Sequence, residues 1–194
     1  MPIFSFIFFV VITSFTPGPN NIMAMSFANQ YGLKRTVPFS VGVGIGFFII
    51  TLASSVFNIA LTELMPTIQT PLSLLGVVYM LYLAFKIYRS TYEKSQQQKS
   101  TKNFLVIGTL LQFINPKGIL YSIAVVATYV LPYYSSYISY FILSIILGFV
   151  GTLSTFTWAL FGSILQKYLI AYTKPFNIVM ALLLLYSAIS LLIH

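Results

Sequence analysis

The sequence predicts an all-α integral membrane protein of six transmembrane helices, set as a 3+3 inverted repeat in which the first helix of each half is broken. Three observations lead there. Of the 194 residues 58% are hydrophobic and only 6% charged, with a mean hydropathy of +0.93, too apolar for a surface that must face water. Long apolar runs recur, rich in the 14 Tyr and 18 Phe, with no alternating ten-residue strands between turns, so helices cross the bilayer and not the strands of an outer-membrane barrel. The third observation is punctuation. Pro17-Gly18-Pro19-Asn20-Asn21 and Asn115-Pro116-Lys117-Gly118 interrupt two of these runs at corresponding places.

The first run, Pro2 to Tyr31, would be about 45 Å long as one helix at roughly 1.5 Å per residue, against a hydrocarbon core of about 30 Å. Each proline lacks an N–H and its ring clashes with the carbonyl four residues back, so the helix must break at Thr16-Pro17-Gly18-Pro19 and free the carbonyls of Thr13 and Phe15. Unpaired in lipid, such groups cost several kcal/mol, and a break survives only where protein or a water-filled cavity receives it. Asn20 and Asn21 add two amides at a depth where amides are costly. That favours a binding site over a simple kink.

Lys34 and Arg35 follow, then a second span from Pro38 to Ala60 whose Gly42 and Gly46 form a Gly-x-x-x-Gly face for close helix approach. Leu61 to Thr70, with Glu63 and Pro66, reads as a short loop, and the third span runs from Pro71 to Tyr88. Ser90 to Asn103 is polar and links residues 1–89 to residues 104–194, the two halves of one membrane transporter domain covering 1–194. Phe104 to Leu131 is again too long for one tidy span and is broken at Asn115-Pro116. Ile138 to Gly162 and Phe176 to Leu192 complete the second triplet. Pro17 and Pro116 stand 99 residues apart, and the span starts Pro38 and Ile138 stand 100 apart. Interrupted apolar segments at matching places of two halves point to the binding site of a secondary transporter. Three spans per half, an odd number, invert the second half relative to the first.

The basic residues orient the chain. Lys34, Arg35, Lys86, Arg89, Lys94, Lys99, Lys102, Lys167 and Lys174 all fall on one side, which is then cytoplasmic, leaving both termini outside the cytoplasm of a multi-pass protein of the cell (inner or plasma) membrane. The net charge of +8 therefore reflects bilayer orientation, and nucleic acid is not the expected partner. Cysteine is absent, the one histidine is His194, and the only carboxylates are Glu63 and Glu93. No metal cluster or acid–base dyad can be assembled in the membrane, so neither catalysis nor a cofactor is expected.

Lys117 is the basic residue left over. An intramembrane lysine costs roughly 2.5 to 3.5 kcal/mol on insertion scales, which marks it as functional, the alternative being that it snorkels to the interface. Together the breaks offer complementary polarity. Carbonyls at Thr13, Phe15 and Gln112 can accept from an ammonium, while Asn20, Asn21, Asn115 and Lys117 can donate to a carboxylate beside a helix N-terminus. The candidate substrate-binding set is Thr16, Pro17, Gly18, Pro19, Asn20, Asn21, Gln112, Asn115, Pro116 and Lys117. It suits a small zwitterionic amino acid, and with no intramembrane carboxylate a cationic side chain is disfavoured. Lys117 is also the candidate for proton coupling, and a homo-oligomer is compatible with the same reading.

Thr16-Pro17-Gly18-Pro19-Asn20-Asn21, Asn115-Pro116-Lys117, six spans and this length resemble the LysE/RhtB family of amino-acid exporters, across the whole chain. Gln112-Phe113-Ile114-Asn115, Leu131-Pro132 and Asn177-Ile178-Val179-Met180-Ala181-Leu182-Leu183-Leu184 are most similar to its cysteine/O-acetylserine exporter branch. The resemblance implies export of small neutral amino acids or their derivatives from the cytoplasm. Many relatives carry an acid in the second span, where this chain has Phe47. A non-transporting scaffold or assembly subunit would account for the apolar chain equally well, but not for two matched breaks lined with amides. A passive channel would need a continuous polar stripe, which these spans lack.

Overall fold

A computed structural model describes residues 1–89, 103–169 and 173–193. Most of the expected linker, residues 90–102 with Glu93, lies outside the described residues. Those described are helical apart from short turns, and no strand occurs among them. Helices α1 (Ile3–Phe15) and α2 (Pro19–Tyr31) are the two parts of the first run, bent by 49°. Helices α5 (Phe104–Ile114) and α6 (Pro116–Val125), the latter continued by a π-helical turn at Val126–Val130, make the second bent pair, at 67°. Both breaks follow from proline stereochemistry. Thr16, Gly18 and Asn115 each precede a proline and each is extended, as the clash with the proline ring requires. Pro19 and Pro116 then open α2 and α6 at the first helical position, where the missing N–H costs nothing.

Helix α3 (Leu33–Val56) begins ahead of the expected Pro38. Gly32, at φ 83°, separates it from α2, a conformation open to glycine at little cost. Helix α4 (Asn58–Arg89) is continuous over 32 residues, which corrects the expected loop at Leu61 to Thr70. Ala60, Leu61, Glu63, Leu64 and Met65 are strong helix formers, and they carry the helix through Pro66 and Pro71. Helices α7 (Tyr137–Leu169) and α8 (Thr173–Ile193) complete the chain.

Among the described residues two helices qualify by length and hydropathy to cross a membrane, α3 and residues Tyr137–Ile164 of α7, and up to four segments do so if each bent pair is one span. They pack through glycine. A methyl on Gly44 would meet the Gly148 carbonyl oxygen at 2.7 Å, and one on Gly148 would meet that of Gly44 at 2.9 Å, so α3 and α7 cross backbone to backbone at this reciprocal pair. The Gly42/Gly46 face serves as expected, against α5: Gly42 lies on the Leu105 carbonyl and Gly46 on that of Thr109, while Gly108 of α5 lies on the Phe39 carbonyl. Close approach lets Thr109 donate to the Gly42 carbonyl at 3.1 Å. Helix α2 packs on α7, and α4 pairs with α8 through a core of Val77, Met80, Leu83, Leu184 and Ala188. That pair meets the breaks at two places: Gly76 packs on the Pro116 ring, and the Ser187 hydroxyl donates to the Pro17 carbonyl at 3.1 Å. The outer surface is apolar, with Phe4, Leu75, Ile138 and Phe149 exposed, as a lipid-facing surface is.

Candidate functional site

The first break leaves a run of carbonyls at the end of α1, and side chains from four helices meet them. Asn21 of α2 donates to the carbonyls of Ser14 at 2.9 Å and Thr16 at 3.1 Å. Ser154 of α7 also donates to Ser14, at 2.6 Å, and the only tryptophan, Trp158 of α7, donates to Phe15 at 3.1 Å. Lys117 of α6 places its ammonium on Thr16 Oγ1 at 2.8 Å and on the carbonyls of Thr16 at 3.0 Å and Pro17 at 3.3 Å. Those three acceptors match the three donors of an ammonium, and they lie at the negative end of a helix, which favours a cation. Lys117 thus ties the second break to the first. Its stem lies against Gly18, where a methyl would come within 2.9 Å of Lys117 Cδ.

Each freed carbonyl is thus already met by one donor of the protein. Thr13 accepts from its neighbour Thr16 Oγ1 at 2.9 Å, Phe15 from Trp158, and Gln112 from the Asn115 N–H at 3.3 Å. Of these three donors only Trp158 comes from a distant helix, which the sequence could not name, and each carbonyl keeps a second lone pair.

Beneath the lysine both breaks line one cavity of about 60 Å³, walled by Gly18, Asn20 and Asn21 from the first and Gln112, Asn115 and Lys117 from the second. Asn20, Asn21, Gln112 and Asn115 are each at most 7% exposed, whereas Thr16 is exposed and Lys117 half-buried. The amides form the floor and the lysine the rim. Asn20 donates its amide to Gln112 Oε1, and the Gln112 amide lies over Gly118, where a methyl would collide with it. Neither α2 nor α6 has a side-chain cap at its N-terminus. Two uncapped positive helix ends thus reach the same small space, the arrangement that receives anions elsewhere.

Of the expected residues Gly18, Asn20, Asn21, Gln112, Asn115 and Lys117 meet in the cavity wall. Thr16 and Pro17 serve as acceptors for Lys117, and Pro19 and Pro116 open their helices. The sequence reading missed Phe47 and Tyr121, whose rings stack at 5.0 Å between centroids, and Thr155 of α7, which with Ser154 joins the wall. Paired hydroxyls and a lone tryptophan in an otherwise apolar span were the available signal.

Comparison with known proteins gives a family for the chain. Residues 11–194 match the family model described as LysE type translocator. A cysteine/O-acetylserine efflux protein of Salmonella choleraesuis (strain SC-B67) is 35% identical over 182 residues, 93% of this chain and 92% of the other. One of Escherichia coli (strain K12) is 34% identical over 181 residues, with the same coverage. No solved structure matches.

Proposed function

Because this chain belongs to the LysE type translocator family, a family of membrane transporters and not of enzymes, we propose that it exports small neutral amino acids of the cysteine or O-acetylserine kind from the cytoplasm, binding them at the cavity between the two breaks. The observation that carries this is the convergence of two uncapped helix N-termini and one lysine on a cavity that holds no carboxylate. The substrate carboxylate lies at those N-termini beneath Lys117, where the field is positive. With no acid in the wall a second positive charge on the substrate has no partner, so lysine and arginine are poor substrates. Phe47, Tyr121 and Val43 bound the apolar side of the cavity, which limits the side chain to a short one.

In this reading the six spans form the 3+3 inverted repeat, with α1–α2 and α5–α6 as the broken first spans, both termini outside the cytoplasm of the cell membrane and the cavity near the bilayer midplane. The reciprocal Gly44–Gly148 crossing supports it, since a contact made by like residues of α3 and α7 is what a two-fold relation produces. A neutral zwitterion carries no net charge, so the membrane potential does no work on it unless an ion moves as well. Lys117 is the proposed proton carrier. The deciding experiment is efflux of labelled cysteine, serine, alanine, leucine and lysine from cells with and without the protein. Faster efflux of the small neutral set alone is expected, and an unchanged rate for all five refutes export.

A further inference from the structure

Two buried acceptors in the site have no partner. The side-chain oxygens Asn20 Oδ1 and Asn115 Oδ1 are fully enclosed and accept no hydrogen bond, although both residues line the cavity and each is 5% exposed. An enclosed amide oxygen without a donor costs on the order of its desolvation penalty, so two in one small cavity call for a ligand that donates. Both residues are tied to Gln112, which takes the Asn20 side-chain amide on Oε1 and the Asn115 backbone N–H on its carbonyl. Lys117 does not reach these oxygens, its three donors being taken by Thr16 and Pro17.

We propose that Asn20 Oδ1 and Asn115 Oδ1 form the subsite for the substrate's α-ammonium group, on the cavity floor, opposite the carboxylate end under Lys117. This rests on the export reading above and reverses the donor role that the sequence suggested for the two amides. A cation held by neutral oxygens explains how a site with no carboxylate takes a zwitterion. An ammonium has three N–H groups for two oxygens, and Thr13 at the cavity wall, whose carbonyl takes one donor, is an acceptor for the third. The subsite also gives discrimination. An N-acylated amino acid keeps its carboxylate but has no charged donor for the two oxygens, so it is excluded although the rim would accept it.

The test uses reconstituted full-length protein in proteoliposomes and follows labelled cysteine, with unlabelled cysteine and N-acetylcysteine as competitors. Asn→Asp keeps an acceptor and removes the amide donor, whereas Asn→Leu removes both. In wild type N-acetylcysteine should compete at least about tenfold less well than cysteine, the worth of one hydrogen bond to a charged group. The half-saturating cysteine concentration of Asn115→Asp should lie about tenfold or more below that of Asn115→Leu, and the same order should hold for Asn20→Asp against Asn20→Leu. The subsite is wrong if the Asp variants are the worse of each pair, because the amides then donate to a carboxylate. It is equally wrong if N-acetylcysteine competes as well as cysteine, or if flux requires sodium in wild type and loses that requirement in the Leu variants, which assigns the oxygens to a metal cation. Failure of the export reading looks different: wild type then moves no labelled cysteine, serine or alanine above empty liposomes, and the subsite falls with it.

Discussion

The two breaks are built from similar sequence, and the fold meets their carbonyls differently. At the first, the carbonyls of Ser14, Phe15, Thr16 and Pro17 are each met by a side chain, supplied by Asn21, Ser154, Trp158, Lys117 and Ser187. At the second, the Gln112 carbonyl has only the Asn115 N–H, at 3.3 Å, and Asn115 Oδ1 has nothing. A double-proline break opens more backbone than a single-proline one, so it needs more donors to persist in an apolar protein. The first break is thereby a fixed frame to which α2, α6, α7 and α8 are all fastened. The second supplies the fastening cation, and each break leaves one amide oxygen open, Asn20 Oδ1 and Asn115 Oδ1. Substitutions should separate along that line: those at the neutral donors to the first break act on folding, those at the open groups and at Lys117 on transport.

The largest effect is expected at Lys117. Replacing it with Met leaves Thr16 Oγ1 and the Thr16 and Pro17 carbonyls without their charged donor, a loss of about 1.5 to 3 kcal/mol per bond if none is replaced by water. Export should fall to background, as an efflux assay would record. Lys117→Gln keeps a donor and sharpens the point: a pH gradient imposed on vesicles should drive wild-type flux but not the residual flux of this variant. Wild-type flux indifferent to the gradient removes the proton from the mechanism and leaves simple facilitated efflux.

Next in size is Asn21 against Asn20. Asn21→Ala removes two bonds that brace the first break, each worth about 0.5 to 1.5 kcal/mol, and membrane protein level and flux should fall together. Asn20→Ala removes one bond to Gln112 and an open oxygen, and flux should fall well before protein level on a quantitative immunoblot. Equal behaviour of the two would erase the distinction between frame and site.

Gly18→Ala should come third. Its methyl would press on Lys117 Cδ at 2.9 Å, too close for van der Waals contact, so the lysine stem must shift away from Thr16. Raised half-saturating substrate with normal expression is the expected signature. The smallest effect is Trp158→Phe, which keeps the ring and drops one neutral hydrogen bond to Phe15, a destabilisation of about 1 kcal/mol. It should lower the thermal midpoint in detergent slightly and leave export rate near wild type.

Much of this was legible in the sequence because proline acts locally. The prolines at 17, 19 and 116 break their helices in the company of Gly18 and Asn115, poor helix formers, and the glycine face at 42 and 46 reported a close packing partner without naming α5. The loop drawn at Leu61 to Thr70 failed for the complementary reason, since prolines 66 and 71 stand among helix formers and α4 runs through both. What the sequence could not give was which partner each freed group finds. Trp158 and Ser187 are 143 and 170 residues from the carbonyls they reach, and no periodicity encodes such a pairing.

The central claim is that residues from both breaks contact one substrate molecule in one cavity. The chain has no cysteine, so single cysteines can be placed without background at Thr13, beside the first break, and at Tyr121, beyond the second, both in the cavity wall. The rate of modification by a small water-soluble thiol reagent is then measured against rising concentrations of an exported neutral amino acid. One shared cavity predicts that substrate slows both reactions with the same half-protecting concentration, close to the half-saturating value for export by each variant. Protection at one position only, or half-protecting concentrations that differ by about tenfold or more while export affinities agree, would contradict it.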